Sequence, residues 1–296
     1  MTETMQEVLQ AWQFFFSGIA FVLGTCIGSF LNVCIYRIPL ELSVVTPRSH
    51  CPHCEKLIPW YLNIPLVSFL MLHGKCRNCG GRISPRYFLV ELLVGVLFLL
   101  AWLKFDFFTG STPLGLTPAL TGALIPVYWL VVSGLVLGTF VDFEHLIIPD
   151  RVTLGGIAAG LVLSLLVPEL HLTRSPLTAL ARAGIGLAAG WGSLWAVAVL
   201  GQFIFKKEAM GFGDVKLLGA IGAFFGWRAV LFTIVVSSFT GSIVGIALVA
   251  TAGRKLQSRI PYGPYIALAA LLWMYWGPAL WDLYINLLTP GGPRLL

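Results

Sequence analysis

Long apolar runs separated by short polar stretches dominate this chain. No Asp, Glu, Lys or Arg occurs in 8–36, 107–141, 183–205, 229–253 or 260–281, and the shortest of these runs is 22 residues long. A helix rises ~1.5 Å per residue and needs about 20 residues to cross a bilayer. Each run therefore predicts a transmembrane helix. Three shorter segments are also apolar: Tyr87–Leu103 apart from Glu91, Val152–Val167 ending at Pro168, and Val215–Trp227 apart from Lys216. They raise the expected count to about eight spans, the last short enough to be a half-helix. A transmembrane β-barrel would alternate over segments of about 10 residues instead. The pattern predicts an all-α polytopic membrane protein. Glu3 and Glu7 flank the first run without any Lys or Arg, and the run is too long for a cleavable signal peptide.

Composition sharpens this picture. Only 11% of the residues are charged and 57% are hydrophobic, which excludes a soluble enzyme and a disordered chain. The net charge of +6 is read through the positive-inside rule. With the N-terminus outside, fourteen of the nineteen Lys and Arg fall inside: seven in loop 37–86, then Arg151, Lys206, Lys207, Lys216, Arg254, Lys255 and Arg259. This predicts eight crossings with both termini periplasmic. No basic run or base-stacking module is present, so the excess charge marks a membrane face rather than a nucleic-acid partner. The expected organisation is a first transmembrane helix (1–36), a cytoplasmic loop domain (37–86) and a membrane domain (87–296). No repeat of 20–50 residues stands out.

The loop carries two CxxC pairs, Cys51-Pro-His-Cys54 and Cys76-Arg-Asn-Cys79. Two such pairs suit one tetrahedral Zn²⁺ held by four thiolates. A closed four-Cys site leaves no position for water, so the metal is expected to be structural. Two disulfides or free thiols are the competing reading, and a reducing cytosolic loop disfavours the disulfides. His50, His53 and His73 are read as solvated or capping residues. Cys26 and Cys34 are read as small packing residues of the first span.

In so apolar a chain, acids at span ends are functional candidates. Asp142 ends the third expected span in Val141-Asp142-Phe143-Glu144-His145, and Asp214 opens an apolar segment in Gly211-Phe212-Gly213-Asp214. Asp150 is read as a helix N-cap. No GxSxG, HExxH, GxGxxG or Walker A motif occurs. A pair of aspartates on one membrane face remains, and such a dyad can share a proton and activate water against a peptide carbonyl.

The ordered set of motifs resembles the type IV prepilin peptidases, bacterial inner-membrane aspartic peptidases with a GxGD motif. The resemblance rests on Gly28-Ser29-Phe30-Leu31-Asn32-Val33, Arg37-Ile38-Pro39, the four-Cys loop with Asn63-Ile64-Pro65-Leu66-Val67-Ser68, and Arg86-Tyr87 with Val90-Glu91. It continues through Asp142, Ile148-Pro149-Asp150, Met210 to Leu218, and Pro261-Tyr262-Gly263-Pro264-Tyr265. It implies Asp142 and Asp214 as the catalytic pair. It also implies prepilins and pseudopilins of pilus and type II secretion systems as substrates, cut after a Gly that ends a basic leader. Bifunctional members then N-methylate the new N-terminus with S-adenosylmethionine, an activity for which the resemblance points to Gly74 and Lys75.

Helix dipoles along the two flanking spans predict Asp142, at a C-terminal end, as the protonated partner, and Asp214, at an N-terminal end, as the ionised one. Glu41, Glu55, Glu144 and Glu208 are available to pair with a basic leader. Lys216 is expected to snorkel to the membrane surface rather than tune the dyad. Two other readings compete: a peptidase without methylation, and a proton- or ion-coupled transporter or assembly scaffold. The last conflicts with acids at span ends rather than at the midplane.

Overall fold

The computed structural model describes residues 3–105, 118–206, 210–252 and 261–288. Glu208 and the basic group at 254–259 lie outside them. All regular structure among the described residues is helical: α1 Glu3–Arg37, α2 Val67–Met71, α3 Pro85–Lys104, α4 Pro118–His145, α5 Asp150–Leu166, α6 Pro176–Phe205, α7 Phe212–Ala252 and α8 Gly263–Leu288. Six of them (α1, α3, α4, α6, α7 and α8) are long and apolar enough to cross a membrane. The chain is a multi-pass membrane protein.

The remaining expected segments are accounted for by α5, which has 17 residues, and by a break in α7. At 41 residues, α7 would be about 61 Å long if straight, twice the bilayer core. Gly226 interrupts it at φ 76°, ψ 179°, outside the helical region. A Cβ on Gly222 would lie 3.0 Å from Val230 Cγ2. Eight residues of continuous helix would separate those positions by ~12 Å. The chain therefore folds back at Gly226, and 212–225 is the short segment that the sequence marked as a half-helix.

Two compact units are present, Met1–Val141 and Asp142–Leu296. In the first, α1 and α3 meet at backbone distance: a Cβ on Gly24 would lie 2.8 Å from Gly95 Cα, and one on Gly28 2.8 Å from Glu91 Cα. Small residues spaced by four allow this approach, which is how helices gain packing contacts in lipid. Trp129 stacks on Phe98 with centroids 5.0 Å apart and donates its indole N–H to the Phe98 carbonyl.

In the second unit, Gly186 and Gly190 of α6 lie against the backbone at Gly222 and Leu218 of α7, and Gly160 of α5 packs on Ala223. The break at Gly226 frees carbonyls of the preceding turn, and a buried polar group without a partner is costly. His171 and Ser164 supply partners. The His171 ring, as its Nε2–H tautomer, donates to the Ala223 carbonyl at 3.2 Å and lies 2.9 Å from Ser164 Oγ. Arg182 in turn donates to the His171 carbonyl at 2.6 Å.

Candidate active site

Three helix ends of the second unit converge on one point. Asp142 sits in the last turn of α4, Asp214 in the first turn of α7, and Gly263 opens α8. Leu146 closes α4 in the left-handed region (φ 55°), its N–H donating to the Asp142 carbonyl at 3.0 Å. The chain then passes through Ile147, Ile148 and Pro149 into α5. Ile148 is the spacer of the site: a Cβ on Gly213 would lie 3.3 Å from its Cβ, and one on Gly263 2.9 Å from its Cδ1.

Both carboxylates are buried, Asp142 at 5% and Asp214 at 8% exposure, and they interact electrostatically. The structure thus brings together the two acids singled out in the sequence. It also adds a group that the sequence reading left without a role. The Gly263 N–H donates to Asp142 Oδ2 at 3.0 Å, so the N-terminus of α8 faces this carboxylate. No hydrogen bond among the described residues reaches the Asp214 side chain. A backbone donor favours the anion on Asp142, opposite to the sense expected from α4 alone. The only signal for it was the glycine between Tyr262 and Pro264, placed where an uncharged run begins again.

Neither Gly211 nor Gly213 occupies the left-handed region, so neither supplies an unusual backbone. They supply closeness. Gly213 admits Ile148, and a Cβ on Gly211 would lie 3.3 Å from Asp214 Oδ2. Asp150 is the first residue of α5 rather than its N-cap, which is Pro149. Its exposed carboxylate holds Lys216 Nζ at 2.6 Å, so Lys216 is paired rather than merely snorkelling.

In the first unit, the four cysteine sulfurs lie within 4.8 Å of one another. A zinc tetrahedron with Zn–S near 2.3 Å has edges of about 3.8 Å. Cys51 and Cys79 sulfurs are 3.8 Å apart, and all four cysteines are free thiols rather than disulfides. The donor set fits a structural zinc. The two knuckles share one backbone design. Cys51 N–H donates to Lys56 O and Glu55 N–H to Cys51 O; Cys76 N–H donates to Gly81 O and Gly80 N–H to Cys76 O. Glu55 and Gly80, equivalent in the two, both have positive φ. The second knuckle repeats the first at an offset of 25, a duplication the sequence reading passed over.

Amide donors tune the sulfurs. The Cys79 and Asn78 N–H groups hold the Cys76 thiol down to about 6, and those of Lys56 and the Asn78 side chain lower that of Cys54. The Gly81 N–H lowers Cys79, but burial and the neighbouring sulfurs outweigh it and push it up to about 11. Four thiolates cannot share this point without a cation. None of the three histidines joins the cluster; His53 lies against Gly81 instead. Gly74 (φ 66°) and Lys75 line a cleft of about 440 Å³ beside the second knuckle, with Phe69, His73, Arg82 and Ser84.

Known proteins resemble this chain along most of its length. The bacterial peptidase A24 N-terminal domain matches residues 22–105, and the type IV leader peptidase family matches 129–246. A prepilin leader peptidase/N-methyltransferase of Myxococcus xanthus is 41% identical over 239 residues, 81% of this chain and 65% of that protein. Proteins of the same name from Aeromonas hydrophila (33% identical; 93% of this chain, 95% of that one) and Legionella pneumophila (31%; 90% and 93%) match along nearly their full length. No solved structure matches. With both halves of the chain matched in order, the protein belongs to the type IV leader peptidase family.

Proposed function

We propose that this protein cuts the leader peptide from prepilins or pseudopilins after Gly at the cytoplasmic face of the bacterial inner membrane. It then N-methylates the new N-terminus. The observation that carries the reading is the meeting of two buried carboxylates, from α4 and α7, beneath a backbone N–H of α8. In this reading Asp142, steadied by Gly263, is the anion that takes a proton from water. The resulting hydroxide adds to the scissile carbonyl. Asp214, with no hydrogen bond of its own among the described residues, carries the hydroxyl that hydrogen-bonds the carbonyl oxygen. As the tetrahedral intermediate collapses, the proton held by Asp142 passes to the leaving amine. The substrate helix lies in the lipid with its basic leader inside.

Loop 37–86 is proposed as the methyl-transfer domain, kept folded by a zinc ion on Cys51, Cys54, Cys76 and Cys79. A segment of about 50 residues has too little core to fold alone. S-adenosylmethionine would supply an electrophilic methyl group to the free amine. Gly74 and Lys75 line a cleft large enough to take part in holding this donor.

Incubation with a prepilin, with and without S-adenosylmethionine, followed by mass spectrometry, tests both activities. Loss of the leader is expected in both samples, with one added methyl only when the donor is present. Asp142→Asn and Asp214→Asn should each abolish cleavage while methylation of pre-cut pilin survives. An uncut substrate would reject the peptidase, and a cut but unmethylated one would reject the methyl transfer.

A further inference from the structure

One cleft of the first unit takes no part in either proposed reaction. It has a volume of about 380 Å³ and runs along a single face of α1, touching residues 26, 29, 30, 33 and 37. Segments 44–49 and 63–65 form its other wall. Eleven residues of helix span ~16 Å, so the cleft reaches from the end of α1 well into the part that crosses the membrane. Its two ends differ in chemistry. Arg37, Arg48, Ser49 and Asn63 stand at the loop end; Cys26, Phe30 and Val33 line the deep end.

The cleft is a built one. Arg37 is 8% exposed and donates to the Ser43 carbonyl at 2.9 Å and the Pro47 carbonyl at 2.7 Å, which fastens the overlying loop to α1. Behind Ser29, Glu91 accepts the Leu66 N–H at 2.8 Å and a hydrogen bond from Ser29, and so fixes the 63–66 wall. Among the described residues, no carboxylate lines the cleft. Below Cys26 the same side of α1 continues as exposed Ile19, Val22 and Leu23, which in a membrane face acyl chains.

We propose that this cleft binds an anionic phospholipid. The phosphate lies at Arg37 and Arg48 with Ser49 and Asn63 as further donors, and one acyl chain follows Val33, Phe30 and Cys26 onto the stripe below. Basic pockets at membrane faces select anionic headgroups in this way. The bound lipid would pin loop 37–86 to the bilayer surface.

The test uses the full chain in phosphatidylcholine nanodiscs, with a photoactivatable phosphatidylglycerol or phosphatidylcholine probe and peptide mapping by mass spectrometry. Cross-links are expected within 26–37, several-fold stronger for phosphatidylglycerol. Arg48→Gln should reduce them about fivefold, the worth of one basic contact with an anionic surface. Val33→Trp, which fills the deep end, should reduce them as well. Arg37 is unsuitable because it holds the loop; unchanged zinc content verifies that the two chosen variants fold. Equal labelling by the two probes, or no effect of Arg48→Gln, would overturn the proposal. So would protection by S-adenosylhomocysteine, which would give the cleft to the methyl donor.

Discussion

A methyl group on Gly263 would sit 2.7 Å from Asp142 Oδ2 and 2.9 Å from Ile148 Cδ1, both below van der Waals contact. Either the carboxylate or the start of α8 must shift, and the N–H bond to Asp142 is lost or lengthened. Misplacing a reacting group by about an ångström costs on the order of 10²-fold in rate. Gly263→Ala should therefore lower kcat/KM on a prepilin peptide by about that factor while the protein stays folded and zinc-loaded. Gly211→Ala, whose Cβ would meet Asp214 Oδ2 at 3.3 Å, should cost much less. Equal activities for the two variants would remove Gly263 from the site. At this scale the sequence exposes the acids because charge is scarce. It hides the partner of Asp142 because that partner is a backbone N–H, which any residue but proline possesses.

Among the elements, the two knuckles and the broken helix make separate predictions. Purified protein should carry one zinc per chain by elemental analysis. Cys51→Ser, which removes a buried ligand, should lose the metal and the protease resistance of loop 37–86 together. Metal loss with the loop still protected would show that the loop folds without zinc. The connection between α5 and α6 predicts a pH effect. Burial lowers the His171 pKa, the Ala223 carbonyl opposes this, and the Arg182 charge adds to it. Glu169, also buried, is the acid of the same turn. The unfolded chain then binds a proton near pH 6.5 that the folded one still refuses. Stability is thus complete above about pH 6.5 and falls as pH drops below it. The melting temperature in detergent should decline from pH 7 to pH 5, and His171→Gln, which keeps a donor for Ala223, should flatten that decline. The knuckles were legible because a CxxC turn is local. The role of His171 was not, because it depends on carbonyls freed 52 residues later in the chain.

For the whole molecule, the charge distribution and the helices make one joint prediction about sidedness. If 212–225 crosses the membrane and returns after Gly226, alkaline phosphatase fused after Lys104, Arg174 or Arg228 should be active. Fusions after Glu41 or Lys206 should be inactive. An inactive fusion after Arg228 would make α7 a single crossing and refute the eight-segment topology. By itself the sequence determined the helical class, the membrane setting, the four-Cys site and which two acids to examine. Each of these is written in composition or in short-range spacing, and lipid leaves helices as the economical way to satisfy a spanning backbone. The tertiary structure alone decided that Gly263, 121 residues after Asp142, caps its carboxylate, and that Lys216 pairs with Asp150 across 66 residues. The first depends on the reversal at Gly226, which brings the chain back to the face it left and lets α8 begin beside the end of α4; the second depends on α5 and the start of α7 meeting at that face. Such contacts follow from how helices return through the membrane, and no local period in the chain records that path.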